Sequence, residues 1–139
     1  MNAVFADTVY WLAVFRPRDP WRGAALRAKE AAGSARVVTT DEVLTEVLDG
    51  VSGADPRVRA RALRLVRGIL ARRDVQVIPQ SRDSFLKGLE LYEARPDKGY
   101  SLTDCTSMVA MRTASITHIL TNDRHFQQEG FEILMAQKE

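Results

Sequence analysis

Short apolar runs alternate with longer segments of helical periodicity, and this alternation restricts the possible folds more than any other feature of the sequence. Runs rich in β-branched or aromatic residues predict strands at 3–6, 36–39, 75–78, 116–120 and 131–134. Strands separated by helices are joined by right-handed crossovers and form a mainly parallel sheet between layers of helices. The sequence therefore predicts an α/β fold, a three-layer α/β/α sandwich with a mainly parallel five-stranded sheet.

The segments between these strands repeat apolar residues at the spacing of a helix. Three segments begin with capping residues, namely Asp55 ahead of Pro56, Ser81 and Ser101. Glycines fall between the segments, where helices commonly end. The periodic residues are Trp21, Ala24, Ala25, Ala28 and Ala32; Val43, Leu44, Val47 and Leu48; Val58, Ala62, Leu65, Val66 and Ile69; Phe85, Leu89 and Tyr92; and Cys105, Met108 and Val109.

The composition is that of an ordinary soluble globular protein, because 45% of the 139 residues are apolar and 27% are charged. This length fits one domain, expected to span 1–139. The longest apolar run, 9–15, is far shorter than the roughly 18 residues of a membrane span, and no secretory signal is visible at the amino terminus. The single cysteine, Cys105, excludes an internal disulfide and a multi-cysteine zinc site. These features favour a cytoplasmic protein without a membrane partner.

Four carboxylates fall where predicted segments begin or end. "AVFAD" leads to Asp7 and "HILTND" leads to Asp123, so two strands each end on an acid. Glu46 lies in the helix after the second strand, about 60° from Val43 on the helical wheel, and Asp104 opens a later helix. The working groups of parallel sheets gather at the carboxyl ends of the strands. We therefore expect the four acids to meet at one rim of the sheet.

Each acid also has a purely structural interpretation. Asp7 and Asp123 could cap the helices that follow them, Ser101 with Asp104 matches a capping box, and Glu46 could lie on a solvated flank. Separate caps give no reason for four carboxylates to meet, since repulsion raises their pKa values unless a cation neutralises them. Oxygen ligands without cysteine or a paired-histidine motif favour Mg²⁺ or Mn²⁺. Such ions activate water for phosphoryl transfer, which indicates a phosphodiester substrate.

Four stretches, "FADTVYWLAV", "TTDEVLTEVL", "SLTDC" and "ILTNDRHF", resemble in order and spacing the acidic motifs of PIN-domain ribonucleases, particularly the VapC toxins of type II toxin–antitoxin modules. The resemblance spans essentially the whole chain. It implies a metal-dependent endoribonuclease with Mg²⁺ or Mn²⁺, in which Asp7, Glu46, Asp104 and Asp123 are the catalytic and metal-binding residues. It also implies RNA as substrate, a small antitoxin as partner and a homodimer. PIN domains occur in RNA processing and decay as well, which leaves that alternative open.

Polar residues beside the acids have supporting roles under this resemblance. Thr8 and Thr103 would support the neighbouring acids with their hydroxyls. Asn122 could orient a ligand, although a role in the turn is favoured. Asp97 could approach the rim or belong to a polar turn.

The segment 57–73 holds seven arginines and no acid, so that in a chain of net charge +2 the remaining residues carry −5. Arg57, Arg61 and Arg64 share one flank of the predicted helix and could follow an RNA backbone. A solvated face is the slightly favoured alternative for these arginines.

Several reactive or aromatic residues could have a functional role. Cys105 could be a nucleophile with His118 or His125, but its helical spacing favours a small core residue. His125 could touch a phosphate, although a surface-loop histidine is favoured. An aromatic group near the amino terminus is expected to pack in the core, with a dimer or antitoxin interface as the alternative. Its members are Tyr10, Trp11, Phe15 and Trp21.

Three classes of function compete. A metal-dependent ribonuclease is favoured because it explains the four acids together. A phosphohydrolase or phosphoacceptor with an aspartyl nucleophile would want a second aspartate where Val9 stands, and a lysine that "TNDRHF" lacks. A non-catalytic RNA-binding or protein-interaction module is the third class, and metal-dependent RNA cleavage by the purified chain would eliminate it.

Overall fold

Strands and helices alternate along the computed structural model, which describes residues 1–135. The described strands are β1 (Ala3–Ala6), β2 (Arg36–Thr40), β3 (Val75–Ile78), β4 (His118–Leu120) and β5 (Glu132–Ile133). The described helices are α1 (Thr8–Phe15), α2 (Arg22–Ala32), α3 (Asp41–Asp49), α4 (Pro56–Ala71), α5 (Arg82–Ala94), α6 (Leu102–Thr113) and α7 (Arg124–Gln128).

The five strands form one sheet in the order β3-β2-β1-β4-β5, and every described pairing is parallel. Right-handed crossovers place α1 to α4 on one face of the sheet and α5 to α7 on the other. Both faces of the central strands are therefore covered, and Val4, Phe5, Val38 and Ile119 are almost completely buried. This double burial explains why the strands read as continuous apolar runs. The predicted α/β/α fold is confirmed.

Three predicted strands have other boundaries in the structure, and β2 ends one residue later than predicted, at Thr40. β4 begins at His118 and not at position 116, because Ser115 has a positive φ of 57° and the amide of Ile116 donates to the carbonyl of Met111. Ile116 is buried, but it belongs to the turn that closes α6. β5 pairs over Glu132–Ile133 only, as a short strand at the edge of the sheet.

The predicted helix starts are present. Asp55 accepts a hydrogen bond from the amide of Arg57 at 2.8 Å, with Pro56 at the first helical position. Ser81 caps α5, and Ser101 caps α6. In the aromatic region, Tyr10 and Trp11 are buried in the core as expected, while Phe15 and Trp21 are half-buried.

Helix α5 differs from the expectation of a simple apolar stripe. Phe85, Leu89 and Tyr92 share its helical periodicity but are 41%, 39% and 53% exposed. The buried contact is instead made by Gly88, where an added Cβ would lie 2.5 Å from Cγ2 of Thr106 on α6. Glycine thus permits a close approach of the two helices and leaves Phe85, Leu89 and Tyr92 facing solvent.

No helix in residues 1–135 combines the length and the apolar character that a membrane span requires. The predicted domain of 1–139 reaches four residues beyond the described part of the chain, so its limits stay a prediction.

Candidate functional site

The carboxyl ends of β1 and β4 lie side by side at the middle of one edge of the sheet. The chain winds from β1 outward through β2 to β3, and then continues on the other side of β1 with β4 and β5. Open parallel sheets bind ligands in the crevice where the winding reverses. Asp7 follows β1 and Asp123 follows β4, so both acids stand at this reversal point.

Asp7 is 4% exposed and holds the N-cap position of α1, but its side chain makes no capping hydrogen bond. Its Oδ2 instead accepts a hydrogen bond from Oγ1 of Thr121 at 2.8 Å. Burial raises the pKa of Asp7 to about 7, against the lowering effect of the hydrogen bonds from Thr121 and the Thr8 amide. The nearby carboxylates of Asp104 and Glu46 raise this pKa further. The site therefore opposes the charge that Asp7 would carry.

Glu46 reaches the same edge from α3, where it is half-buried. Oγ1 of Thr8 donates a hydrogen bond to Oε1 of Glu46 at 2.5 Å. Thr8 therefore contacts both carboxylates. Its amide hydrogen-bonds to Asp7, the residue before it, and its hydroxyl hydrogen-bonds to Glu46. The Thr8 hydroxyl thus contacts Glu46 and not the adjacent Asp7, and its supporting role stays a prediction.

Asp104 takes part in a capping box and in the acid cluster at once. Its amide donates to Oγ of Ser101, and its Oδ2 accepts from the Ser101 amide, both at 3.0 Å. Burial raises the pKa of Asp104, and the charge of Asp123 adds to this, whereas the Ser101 amide and His125 lower it. The capping interpretation is therefore right but incomplete, since the capping carboxylate also faces a second acid.

Asp123 and His125 complete this side of the cluster. Oδ1 of Asp123 accepts a hydrogen bond from the amide of His125 at 2.9 Å, which caps α7. Nδ1 of His125 lies 3.4 Å from Oδ2 of Asp104 and 3.4 Å from Oδ1 of Asp123. That nitrogen is buried and finds no hydrogen-bond partner among the described residues. The surface-loop interpretation of His125 was wrong, because the turn at Asp123 begins a short helix that directs the ring toward the acids.

The cluster fits a divalent cation. Asp104, Asp123 and His125 each offer one ligand atom within 4.8 Å of the other two. Carboxylate oxygens with one imidazole nitrogen form a donor set that divalent metals accept. Within residues 1–135, no lysine or arginine forms an ion pair with Asp7, Glu46 or these two aspartates. A metal ion would supply the positive charge that no lysine or arginine of residues 1–135 supplies, and His125 would add a nitrogen to the oxygen-only ligand set that the sequence predicts.

The remaining predicted residues lie around the cluster. Thr103 lines a neighbouring cleft, and Asn122 is half-buried between Thr121 and Asp123. Asp97 is exposed in the turn before α6, as the polar-turn alternative predicts.

Neither the arginines nor the cysteine belongs to the cluster. Arg57, Arg61 and Arg64 are exposed on α4, and the guanidinium of Arg61 lies 5.2 Å from the centre of the Phe15 ring. Cys105 is fully buried, and burial raises the pKa of its thiol to about 11. The thiol is therefore neutral at ordinary pH, which agrees with a core residue and opposes a nucleophile.

Sequence reasoning missed Thr121. Its side chain is fully buried, and its hydroxyl donates to Asp7 and accepts from the amide of Asp123 at 3.2 Å. A single residue thus joins the carboxyl ends of β1 and β4. The available signal was a hydroxyl directly after a buried strand, in "ILTND".

Comparison with known proteins assigns the family. The PIN domain family matches residues 4–132. The chain belongs to this family. Its PIN domain superposes on Mycobacterium tuberculosis VapC20, described as a sarcin-ricin loop cleaving toxin, with a TM-score of 0.84 and 23% identity over 99% of this chain and 100% of that chain. The predicted resemblance to a PIN domain of the VapC type is confirmed for the fold.

A second solved structure shares the PIN architecture at greater distance. FitAcB from Neisseria gonorrhoeae matches with a TM-score of 0.66 and 12% identity, over 94% of this chain and 96% of that chain. No curated protein matches the sequence significantly. At these identities the structural likeness concerns the fold, so the chemistry has to be argued from the acid cluster.

Proposed function

We propose that this PIN domain is a metal-dependent endoribonuclease that hydrolyses RNA phosphodiester bonds, and that it is the toxin of a type II toxin–antitoxin module. One observation carries the proposal, namely that Asp7, Glu46, Asp104 and Asp123 approach one another while no lysine or arginine among residues 1–135 pairs with them. Membership of the PIN family and the likeness to VapC20, a toxin that cleaves an RNA loop, support RNA as the substrate.

Asp104, Asp123 and His125 would hold a Mg²⁺ or Mn²⁺ ion, with Asp7 and Glu46 supplying further carboxylates. The bound ion would activate water and offset the negative charge of the phosphate. The protein's own contribution is orientation, because residues that hydrogen-bond to ligands fix their direction. Thr121 holds Asp7, Thr8 holds Glu46, and the Ser101 amide holds Asp104.

Three further parts of the proposal rest on the resemblance and on exposure. Arg57, Arg61 and Arg64 are exposed and would contact RNA phosphates, which predicts binding that weakens with salt. A small antitoxin would restrain the enzyme, and the toxin would act as a homodimer in the cytoplasm.

The ribonuclease proposal is tested by incubating end-labelled RNA with the purified chain and Mg²⁺ or Mn²⁺. Cleavage that EDTA abolishes is expected, and Asp7→Asn or Asp104→Asn should lower the rate at least about 100-fold. Asp97→Asn is the matched control, since Asp97 is an exposed acid outside the cluster. Cleavage by Asp7→Asn at the parent rate, or cleavage indifferent to EDTA, contradicts the proposal.

The toxin proposal is tested separately in cells. Induced expression of the chain should arrest growth, Asp7→Asn should not, and co-expression of a small protein encoded next to the chain should restore growth. An active ribonuclease that leaves growth unaffected would favour the RNA-processing alternative.

A further inference from the structure

A cleft of about 520 Å³ opens next to the acid cluster. Phe85 and Leu102 give it apolar walls, and Glu42, Gln80 and Arg82 give it polar edges. Its volume falls within the roughly 300–1,000 Å³ of clefts that bind small molecules. A cleft with one aromatic wall and several hydrogen-bonding groups is suited to a flat, polar ligand.

Two helices, α3 and α6, contribute residues to both the cleft and the acid cluster. On α3, Glu42 lines the cleft and Glu46 stands in the acid cluster four residues later, about 6 Å along the helix axis. On α6, Thr103 lines the cleft and Asp104 is the next residue. A ligand in the cleft would therefore lie close to a phosphate bound at the acids.

The apolar wall resembles a stacking surface for a base. Phe85 is 41% exposed, and the guanidinium of Arg82 lies 5.9 Å from the centre of its ring. Unstacked RNA bases are held on aromatic rings and on the planes of arginine guanidinium groups. The positive charge of Arg82 would also attract the phosphate of a bound nucleotide.

The polar edge offers groups that distinguish one base from another. Oγ of Ser84 lies 3.3 Å from Oε2 of Glu42 and 2.9 Å from the carbonyl oxygen of Ser81, so its one hydroxyl hydrogen is shared between these acceptors and the Glu42 carboxylate keeps capacity to accept from a ligand. A carboxylate accepts hydrogen bonds from the exocyclic amino groups that adenine, cytosine and guanine carry and uracil lacks. The side chain of Gln80 offers both donors and an acceptor.

We propose that this cleft binds one unpaired base of the RNA substrate, stacked on Phe85 and Arg82, with Glu42 selecting bases that carry an exocyclic amino group. The inference rests on the proposed ribonuclease function and adds to it a preference for single-stranded RNA near the cleavage position. The exposed apolar side chains of α5 outside the cleft, including Leu89, have no part in it.

Binding is the decisive measurement, because it separates the base site from the chemistry. Fluorescence anisotropy with labelled single-stranded oligoadenylate, oligocytidylate and oligouridylate would be measured in the Asp7→Asn background. Phe85→Ala should weaken binding about tenfold, Phe85→Tyr should not, and Glu42→Gln should reduce the preference for oligocytidylate over oligouridylate. Leu89→Ala is the matched control, since Leu89 is equally exposed one turn further along α5.

A second arm replaces single nucleotides of the RNA by abasic ones, one position at a time. At one position the abasic nucleotide should weaken binding by the parent and leave Phe85→Ala unaffected, because both changes remove the same stacking contact. Three results would overturn the base site. They are an abasic nucleotide that weakens binding equally in the two proteins, an unchanged RNA affinity of Phe85→Ala, or no RNA binding by the protein that keeps Phe85. An altered oligomeric state in both Phe85→Ala and Leu89→Ala with unaltered RNA affinity would also overturn it, since α5 would then be a protein interface.

If the Asp7→Asn protein binds RNA as described but the unsubstituted chain cleaves none in Mg²⁺ or Mn²⁺, the ribonuclease proposal is refuted. In that case the measured base preference would still support the cleft as a base site. The two failures are therefore distinguishable.

Discussion

The side chains of Glu129 and Asp7 both have little contact with solvent, yet the surroundings of Glu129 stabilise a negative charge and those of Asp7 disfavour it. The Glu129 side chain is 5% exposed and pairs with Nε of Arg95 at 2.8 Å and with Arg112 at 2.9 Å. The hydroxyl of Tyr100 donates a third hydrogen bond to it at 2.9 Å. The hydrogen bond from Arg95 leads the partners that lower the pKa of Glu129 to about 2.

Asp7 is 4% exposed and has a neutral hydroxyl, that of Thr121, as its hydrogen-bonding side chain. Burial then dominates and raises its pKa to about 7. Burial and the charge of the partners together decide whether an acid stabilises this fold. Glu129, with two guanidinium partners, has a lowered pKa, whereas the more deeply buried Asp7, with a hydroxyl as its side-chain partner, has a raised one. Glu129 forms ion pairs that join the end of α5 to α6 and α7, whereas Asp7 pairs with no lysine or arginine among residues 1–135.

The pH dependence of stability should show the difference between Asp7 and Glu129 most strongly. The pKa of Asp7 is raised from 3.8 to about 7, so the native state binds more protons than the unfolded state between these values. The metal-free protein should therefore lose stability as pH rises from about 4 to about 7, by up to about 4 kcal/mol. Urea unfolding in EDTA across this range measures the slope, and Asp7→Asn should flatten it. Parallel profiles for the parent and Asp7→Asn would contradict the assignment.

At Glu129 the sign is reversed. Its pKa is lowered from 4.5 to about 2, so the stability that it contributes is complete above pH 4.5 and is lost as pH falls toward 2. Asp7→Asn should leave this acid limb in place.

The next largest effect on stability is expected when each carboxylate is replaced by its amide. Glu129→Gln should lower the free energy of unfolding by about 2–4 kcal/mol, because two guanidinium groups lose their counter-charge, an effect that their partial exposure to solvent limits. Asp7→Asn should raise the free energy of unfolding by about 1–3 kcal/mol at pH 8 in EDTA, because the cost of ionising a buried acid disappears. Chemical unfolding of both variants checks this. Changes of the same sign would break the comparison.

Removing the hydroxyl of Thr121 should weaken metal binding more than folding. Thr121→Val takes away the hydrogen bond to Asp7 and should lower metal affinity about tenfold and stability by about 1–2 kcal/mol. Thr39→Val is a matched control, since Thr39 is also fully buried and its hydroxyl donates at 2.8 Å to the carbonyl of Ala6. Calorimetric titration with Mn²⁺ should show unchanged affinity in the control. An equal fall in affinity for both variants would contradict a role of Thr121 in holding Asp7.

The smallest expected effect concerns Tyr100. Burial raises the pKa of its hydroxyl to about 12, with Glu129 adding to the shift, so the group stays protonated and donates. Tyr100→Phe should cost about 0.5–1 kcal/mol and move the acid limb of the stability profile to higher pH. A profile that keeps the parent midpoint would mean that the two arginines alone set the pKa of Glu129.

The sequence predicted the strands and the meeting of the acids for one physical reason. Buried parallel strands require apolar runs, and their carboxyl ends all reach the same edge of the sheet, so Asp7 and Asp123 had to converge. His125 and Thr121 were not placed correctly, because their roles depend on the turn after β4 and on the neighbouring strand. The pairing of Glu129 with two arginines could not be predicted for the same reason, since it joins three helices through residues that are far apart in sequence.

Titration of the EDTA-treated protein with Mn²⁺ at pH 7 tests the central claim most directly, when it is performed by calorimetry in two buffers of different ionisation enthalpy. The account predicts that the parent binds Mn²⁺ and releases a fraction of a proton, because a cation ionises an Asp7 whose pKa is about 7. Asp7→Asn should bind much more weakly and release fewer protons. The account is contradicted if the parent binds no Mn²⁺, or if Asp7→Asn matches the parent in affinity and proton release.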